Sequence, residues 1–178
     1  MTDTARFDPE ASCGPLDTRI EIENDPAIRE ILELVRDHIR TEIRGELDGL
    51  MATLDVDPEY HFWGLMGSGE GPCGREAVEA FYRNMIAGGG NHFQLDIRRI
   101  VADADAVVTE CVMRQPMSGT VVLAAGVESI DGKKVSADQS YLAECQVLTI
   151  WPRGADGRLK GEDIYMGSAP MARLCSLV

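Results

Sequence analysis

Residues Phe93–Arg114 read FQLDIRRIVADADAVVTECVMR, and the period of this stretch decides the fold class. Phe93, Leu95, Ile97 and Val101 alternate with Gln94, Asp96 and Arg98. After the turn Ala102-Asp103-Ala104-Asp105, Val107, Thr109, Cys111 and Met113 alternate with Glu110 and Arg114. A period of two sends successive side chains to opposite faces of a strand, so the stretch predicts a β-hairpin with one apolar and one charged face.

Working outward, the period upstream is helical. Asp25 is a capping residue, Pro26 suits a first helical turn, and Ile28, Ile31, Leu32, Val35, Ile39 and Ile43 recur at three- and four-residue spacing. Gly45 interrupts this helix. Glu46–Leu54 reads as a second, short one, stopped by Asp57-Pro58. Tyr60–Met66 is aromatic and predicts a strand that runs into the glycine-rich loop Gly67–Gly74. A third helix starts at Arg75, with Val78, Phe81, Tyr82, Met85 and Ile86 as its stripe, and ends at Gly88-Gly89-Gly90. Downstream, strands are expected at Val121–Ala125, Tyr141–Trp151 and Lys160–Met166. Helices followed by a run of strands mean α+β: a curled antiparallel sheet packed on three N-terminal helices. Residues 1–24 show no sustained period and read as an arm, ordered against a partner subunit. The domain then spans 25–168 and a tail 169–178.

Composition narrows the function classes. The 178 residues carry 17 Lys+Arg against 30 Asp+Glu, a net charge of −13, with no basic cluster to replace the counterions of a polyanion. Nucleic acid and anionic membrane are therefore not expected partners. No apolar run approaches the ~20 residues of a membrane span, and Met1–Glu10 lacks the pattern of a secretion signal, so a cytoplasmic location is expected. Five scattered cysteines without a C-x-x-C pair suggest neither disulfides nor zinc, and three scattered histidines suggest no metal site; no cofactor is expected. Gly69–Gly74 satisfies G-x-G-x-x-G, but no βαβ units follow and Glu70 would face a pyrophosphate with negative charge, so a dinucleotide is disfavoured.

The order of these elements, with Gly45–Leu50, Gly74–Val78, the Ile97–Arg114 hairpin and Gly154–Leu159, resembles the nuclear transport factor 2-like superfamily, also called SnoaL-like, over roughly residues 26–168. The resemblance implies a cone-shaped α+β barrel with a deep pocket between sheet and helices, and pairing into homodimers. It also implies mostly cofactor-free enzymes, among them ketosteroid isomerase, scytalone dehydratase, polyketide cyclases, limonene epoxide hydrolase and lyases of aromatic lignin fragments, beside members that only bind ligands. Fold alone does not choose among these.

Several residues fall where such enzymes keep their catalysts. Tyr60 matches the pocket tyrosine of the first strand, His92 a histidine at the helix-to-sheet junction, and Asp163 an aspartate of the last strand beside Glu162. Phe62, Trp63, Tyr141 and Tyr165 offer packing surface for an aromatic ligand. On the hairpin, Asp96, Arg98, Glu110 and Arg114 form either an outer charge ladder or, with an inward turn, a base (Glu110) and an anion-stabilising cation (Arg114). The Asp-Arg-Asp set of the epoxide hydrolases would fall near Thr109, Cys111 and Ile164, or one residue away, and none of those can serve, so that mechanism is disfavoured. The expectation is thus a cofactor-independent lyase, dehydratase or isomerase acting on a hydrophobic, aromatic or polycyclic small molecule. The alternative is a non-catalytic binding or dimeric assembly module.

Overall fold

The computed structural model describes residues 7–64, 67–130, 132–169 and 173–176. A 3-10 turn (Pro9–Cys13) leads into helices α1 (Gly14–Ile22), α2 (Pro26–Arg44) and α3 (Leu47–Ala52), then strand β1 (Leu54–Gly64) and helix α4 (Arg75–Ala87). The hairpin β2 (Gln94–Ala102) and β3 (Ala106–Ser118) follows. Next come helix α5 (Gly119–Ala124), a small ribbon of β4 (Ser129–Ile130) and β5 (Lys133–Lys134), and strands β6 (Ser140–Pro152), β7 (Leu159–Met166) and β8 (Arg173–Ser176).

Helix α2 is the axis on which the sheet curls. Asp25 accepts a hydrogen bond from the Ala27 amide at 2.9 Å, and Gly45 ends the helix in the left-handed region at φ 68°. One face of α2 buries Ile31, Leu32, Val35 and Ile39 completely against the concave side of the sheet. Each such side chain contributes roughly 1.5–3 kcal/mol of transfer free energy.

The main sheet has the order β1-β7-β6-β3-β2, with β8 also paired to β6. The expected α+β architecture is present, but the sheet is mixed: β1 runs parallel to β7, while the other pairs are antiparallel. The chain leaves β1 at one edge, crosses through α4 to β2 at the opposite edge and returns strand by strand, arriving beside β1 in the same direction. With β1 and β2 at opposite edges, the glycine-rich loop opens no βαβ unit.

Four further expectations are corrected. Residues 9–22, read as part of an arm, are helical and packed: Cys13, Leu16 and Ile20 at three- and four-residue spacing are buried against α2. Val121–Ala125 is not a strand but lies in and just after α5, whose cap is Ser118 accepting from the Val121 amide. The first strand begins at Leu54 and contains Asp57-Pro58, which sit in a bulge, between Leu54 and Glu59, where β1 loses register with β7. Part of the expected tail is strand β8. Leu65 and Met66, the expected end of the first strand, and the first six residues of the arm lie outside the described residues. Among the described residues no helix is long and apolar enough to cross a membrane.

Candidate active site

A cavity of about 200 Å³ lies between the sheet's concave face, α2 and α4. Its walls are apolar, with Phe62, Phe81, Met85, Phe93, Met113 and Met166, whereas its floor carries Glu42, Tyr60, Tyr82 and Glu162. Four elements deliver that floor. His38 and Glu42 are four residues apart on α2 and so share a face. Tyr60 comes from β1, Tyr82 from α4 and Glu162 from β7, directly opposite Tyr60 in the strand register. Gly161 makes this register possible. Its φ is +136°, and a Cβ there would lie 1.9 Å from the Glu59 carbonyl oxygen, a distance no side chain tolerates.

The floor is a closed hydrogen-bond network. The Thr53 hydroxyl donates to the Leu50 carbonyl at 2.7 Å, which leaves its oxygen to accept, and His38 Nδ1 lies 2.7 Å from it. The imidazole therefore carries a proton on Nδ1 and turns Nε2 towards the cavity floor. Nε2 lies 3.0 Å from the Tyr82 hydroxyl and 3.3 Å from Glu162 Oε1. The Tyr82 hydroxyl is the hub, 2.9 Å from the Tyr60 hydroxyl and 2.9 Å from Glu162 Oε1. A phenol has one hydrogen and two lone pairs. Tyr82 donates to Glu162 Oε1, which leaves its lone pairs facing the Tyr60 hydroxyl and His38 Nε2.

Glu42 differs from its neighbours: among the described residues its carboxyl has no hydrogen-bond partner, and it faces the cavity. Burial first, and the charge of Glu162 second, push this carboxyl well above the usual glutamate range. Burial and then the Glu162 charge also push the Tyr60 and Tyr82 phenols up, so both remain neutral donors. The donor atoms of His38, Glu42 and Glu162 lie within 4.8 Å of one another, a set able to hold a divalent cation, with Thr53 supporting the imidazole from behind.

Of the residues singled out from sequence, Tyr60 and Phe62 reach this cavity. The others stand elsewhere. His92 is exposed, does not line the cavity, and meets the Phe7 ring edge-on at 5.0 Å. Asp163 points to the opposite face from Glu162, where it accepts from His61 Nδ1 at 2.7 Å; strand alternation decides this. Trp63 and Tyr165 stack on each other on that same outer face, with centroids 6.1 Å apart. Tyr141 is buried in a separate cluster with Val122 and Val135. Glu110 pairs with Arg99 at 3.2 Å, and Arg114 with Glu144 at 2.8 Å and Asp96 at 3.5 Å: the outer charge ladder, not the inward pair.

The residues missed were His38, Glu42, Tyr82 and Glu162. Their signal was present in part. His38 and Glu42 interrupt the apolar stripe of α2 on its buried side, and a polar pair four residues apart inside such a stripe is costly unless it has a use.

The comparisons with known proteins bear on the same geometry. A family model described as a SnoaL-like domain matches residues 35–141, more than half of the chain. The chain belongs to the SnoaL-like domain family. No curated protein sequence matches it. Among solved structures, Bal32a from a soil-derived mobile gene cassette is similar at 15% identity and TM-score 0.55, with 80% of this chain and 92% of that one covered. An M. tuberculosis LEH-like epoxide hydrolase is similar at 20% identity and TM-score 0.54, covering 82% and 89%. A ketosteroid isomerase-like protein from Erwinia carotovora atroseptica is similar at 14% and 0.51, covering 82% and 100%. At such identities the likeness shows the SnoaL-like fold, a scaffold that carries small-molecule enzymes among these neighbours, and transfers no activity.

Proposed function

We propose that this SnoaL-like protein is a cofactor-independent acid/base enzyme of the lyase, dehydratase or isomerase class, acting on a hydrophobic small molecule with an aromatic or polycyclic body. The observation that carries this reading is the Glu42 carboxyl, without a hydrogen-bond partner among the described residues and pushed up by burial, on an apolar cavity it shares with a second carboxyl, Glu162, which accepts from Tyr82. A carboxyl pushed up by burial beside a second carboxyl that accepts hydrogen bonds can serve as acid and base.

In this reading Glu162 accepts a proton from the substrate, and Tyr82 and His38, within hydrogen-bond reach of it, disperse the resulting charge change. Glu42 delivers its own proton to the substrate oxygen on which negative charge develops. After one turnover Glu42 is ionised and the Glu162 set holds one extra proton; its return across the short gap between the carboxyls restores the start. Tyr60 and Tyr82, as neutral phenols, orient that oxygen. The aromatic and methionine walls exclude water and hold the apolar body.

The test is a panel of hydroxylated and carbonyl-bearing aromatic compounds, followed by Glu42→Gln, Glu162→Gln and Tyr60→Phe on any compound turned over. Losses of about 10²-fold or more in kcat are expected for the two carboxyl variants, the range of a lost general acid or base. Wild-type rates in both would end this assignment. Turnover that disappears with a chelator and returns with a divalent cation would assign His38, Glu42 and Glu162 to a metal instead.

A further inference from the structure

The same cavity has a second polar group, far from the floor. Gln115 lines it from β3, level with Ala143 on β6, whereas Thr109 and Thr149 pair six residues back along the same two strands, at the floor end. Six residues of strand are roughly 20 Å of chain, less where the sheet curls. Between them the cavity is apolar, with Met113 and Val147 on the sheet side and Phe81 and Met85 on the helix side.

The orientation of the Gln115 amide is fixed by what it touches. Its Nε2 donates to the Gly90 carbonyl at 3.2 Å. The flipped amide would set two acceptor oxygens against each other, so the flip is excluded by the Gly90 carbonyl itself. Oε1 is thereby turned away from Gly90 and has no hydrogen-bond partner among the described residues. Gln115 lines the cavity, and with one amide hydrogen on Gly90 its carbonyl oxygen is left as an acceptor for a ligand donor.

We infer that Gln115 is a distal recognition residue for a hydroxyl group at the end of the ligand opposite the reacting oxygen. The ligand class is accordingly an elongated, apolar molecule with a hydrogen-bond donor at one end, and a terminal phenol is the simplest member. This inference rests on the acid/base reading only in taking the Glu42 and Glu162 end as the reacting end; recognition by Gln115 is an equilibrium property and needs no turnover.

Binding of 4-phenethylphenol and of bibenzyl, which lacks the hydroxyl, to the full chain tests it by intrinsic fluorescence or calorimetry. The wild type is expected to favour the phenol by about 5- to 10-fold, the strength of one neutral hydrogen bond. The preference should vanish in Gln115→Leu and in the near-isosteric Gln115→Met, and persist in Tyr165→Phe on the outer sheet face. Two variants are used so that a folding failure in one leaves the other informative. A preference that survives in the Gln115 variants and is lost in Glu42→Gln would overturn the inference, because the floor would then be reading the hydroxyl. Equal binding of the two probes by the wild type, or no binding of either, would overturn it as well. Failure of the acid/base reading shows separately, as unchanged turnover in Glu42→Gln and Glu162→Gln.

Discussion

In the unfolded chain Glu42 titrates near its ordinary value of 4.5, whereas in the folded protein burial and the Glu162 charge hold the proton to higher pH. The native state therefore binds more protons than the unfolded state from about 4.5 upward, and stability falls as pH rises through that window until the folded carboxyl itself ionises. The slope from this one group is at most about 1.4 kcal/mol per pH unit. Glu42→Gln should flatten it: denaturant unfolding of wild type and variant is expected to agree near pH 4 and to favour the variant at pH 7 to 8. A variant less stable than wild type at pH 8 would contradict a neutral Glu42. Tyr82→Phe strips the hub hydroxyl and leaves His38 Nε2, Tyr60 and Glu162 each one partner short. It is expected to cost about 1–3 kcal/mol by the same measurement, against about 0.5 kcal/mol or less for Tyr165→Phe on the exposed face. Sequence shows the residue types of this site but not their convergence. His38 and Glu42 are legible as polar interruptions of a stripe, yet only folding brings Tyr60, Tyr82 and Glu162 to them.

Register decides which carboxyl of Glu162-Asp163 faces inward, and it is set by a bulge in β1 and by one glycine of β7. Gly161→Ala should force the Glu59 carbonyl and its strand away, costing about 1–3 kcal/mol and moving Glu162 off the floor; stability and turnover should fall together. Gly157→Ala is the control. Its φ of +85° makes alanine strained, but nothing lies within 4 Å of the added carbon, so stability falls while kcat holds. The hairpin of β2 and β3 is plain in sequence because alternation is local. The parallel pairing of β1 with β7 is not, because it joins segments about a hundred residues apart. Valine-rich Val121–Ala125 has the composition of a strand, yet the Ser118 cap and the close packing of Gly119 under the Ser136 carbonyl make it a helix.

The molecule separates its charges from its cavity. Arg114, Glu144, Asp96, Arg99 and Glu110 pair on the outer sheet face, and the net charge of −13 leaves the cavity walls apolar. The N-terminal helices belong to this body. Leu16 is fully buried, so Leu16→Ala should cost about 2–5 kcal/mol in unfolding, where a loose arm would show no change. Three apolar positions in a short, proline-bearing segment gave that helix too weak a period to read. The apolar pocket, which the resemblance implies and composition does not show, is the setting whose burial pushes the Glu42 carboxyl up. The most direct test is the infrared difference spectrum between wild type and Glu42→Gln at pH 7. The expected result is loss of a protonated-carboxyl carbonyl band in the variant; loss of carboxylate bands instead would show Glu42 ionised and contradict the acid/base floor.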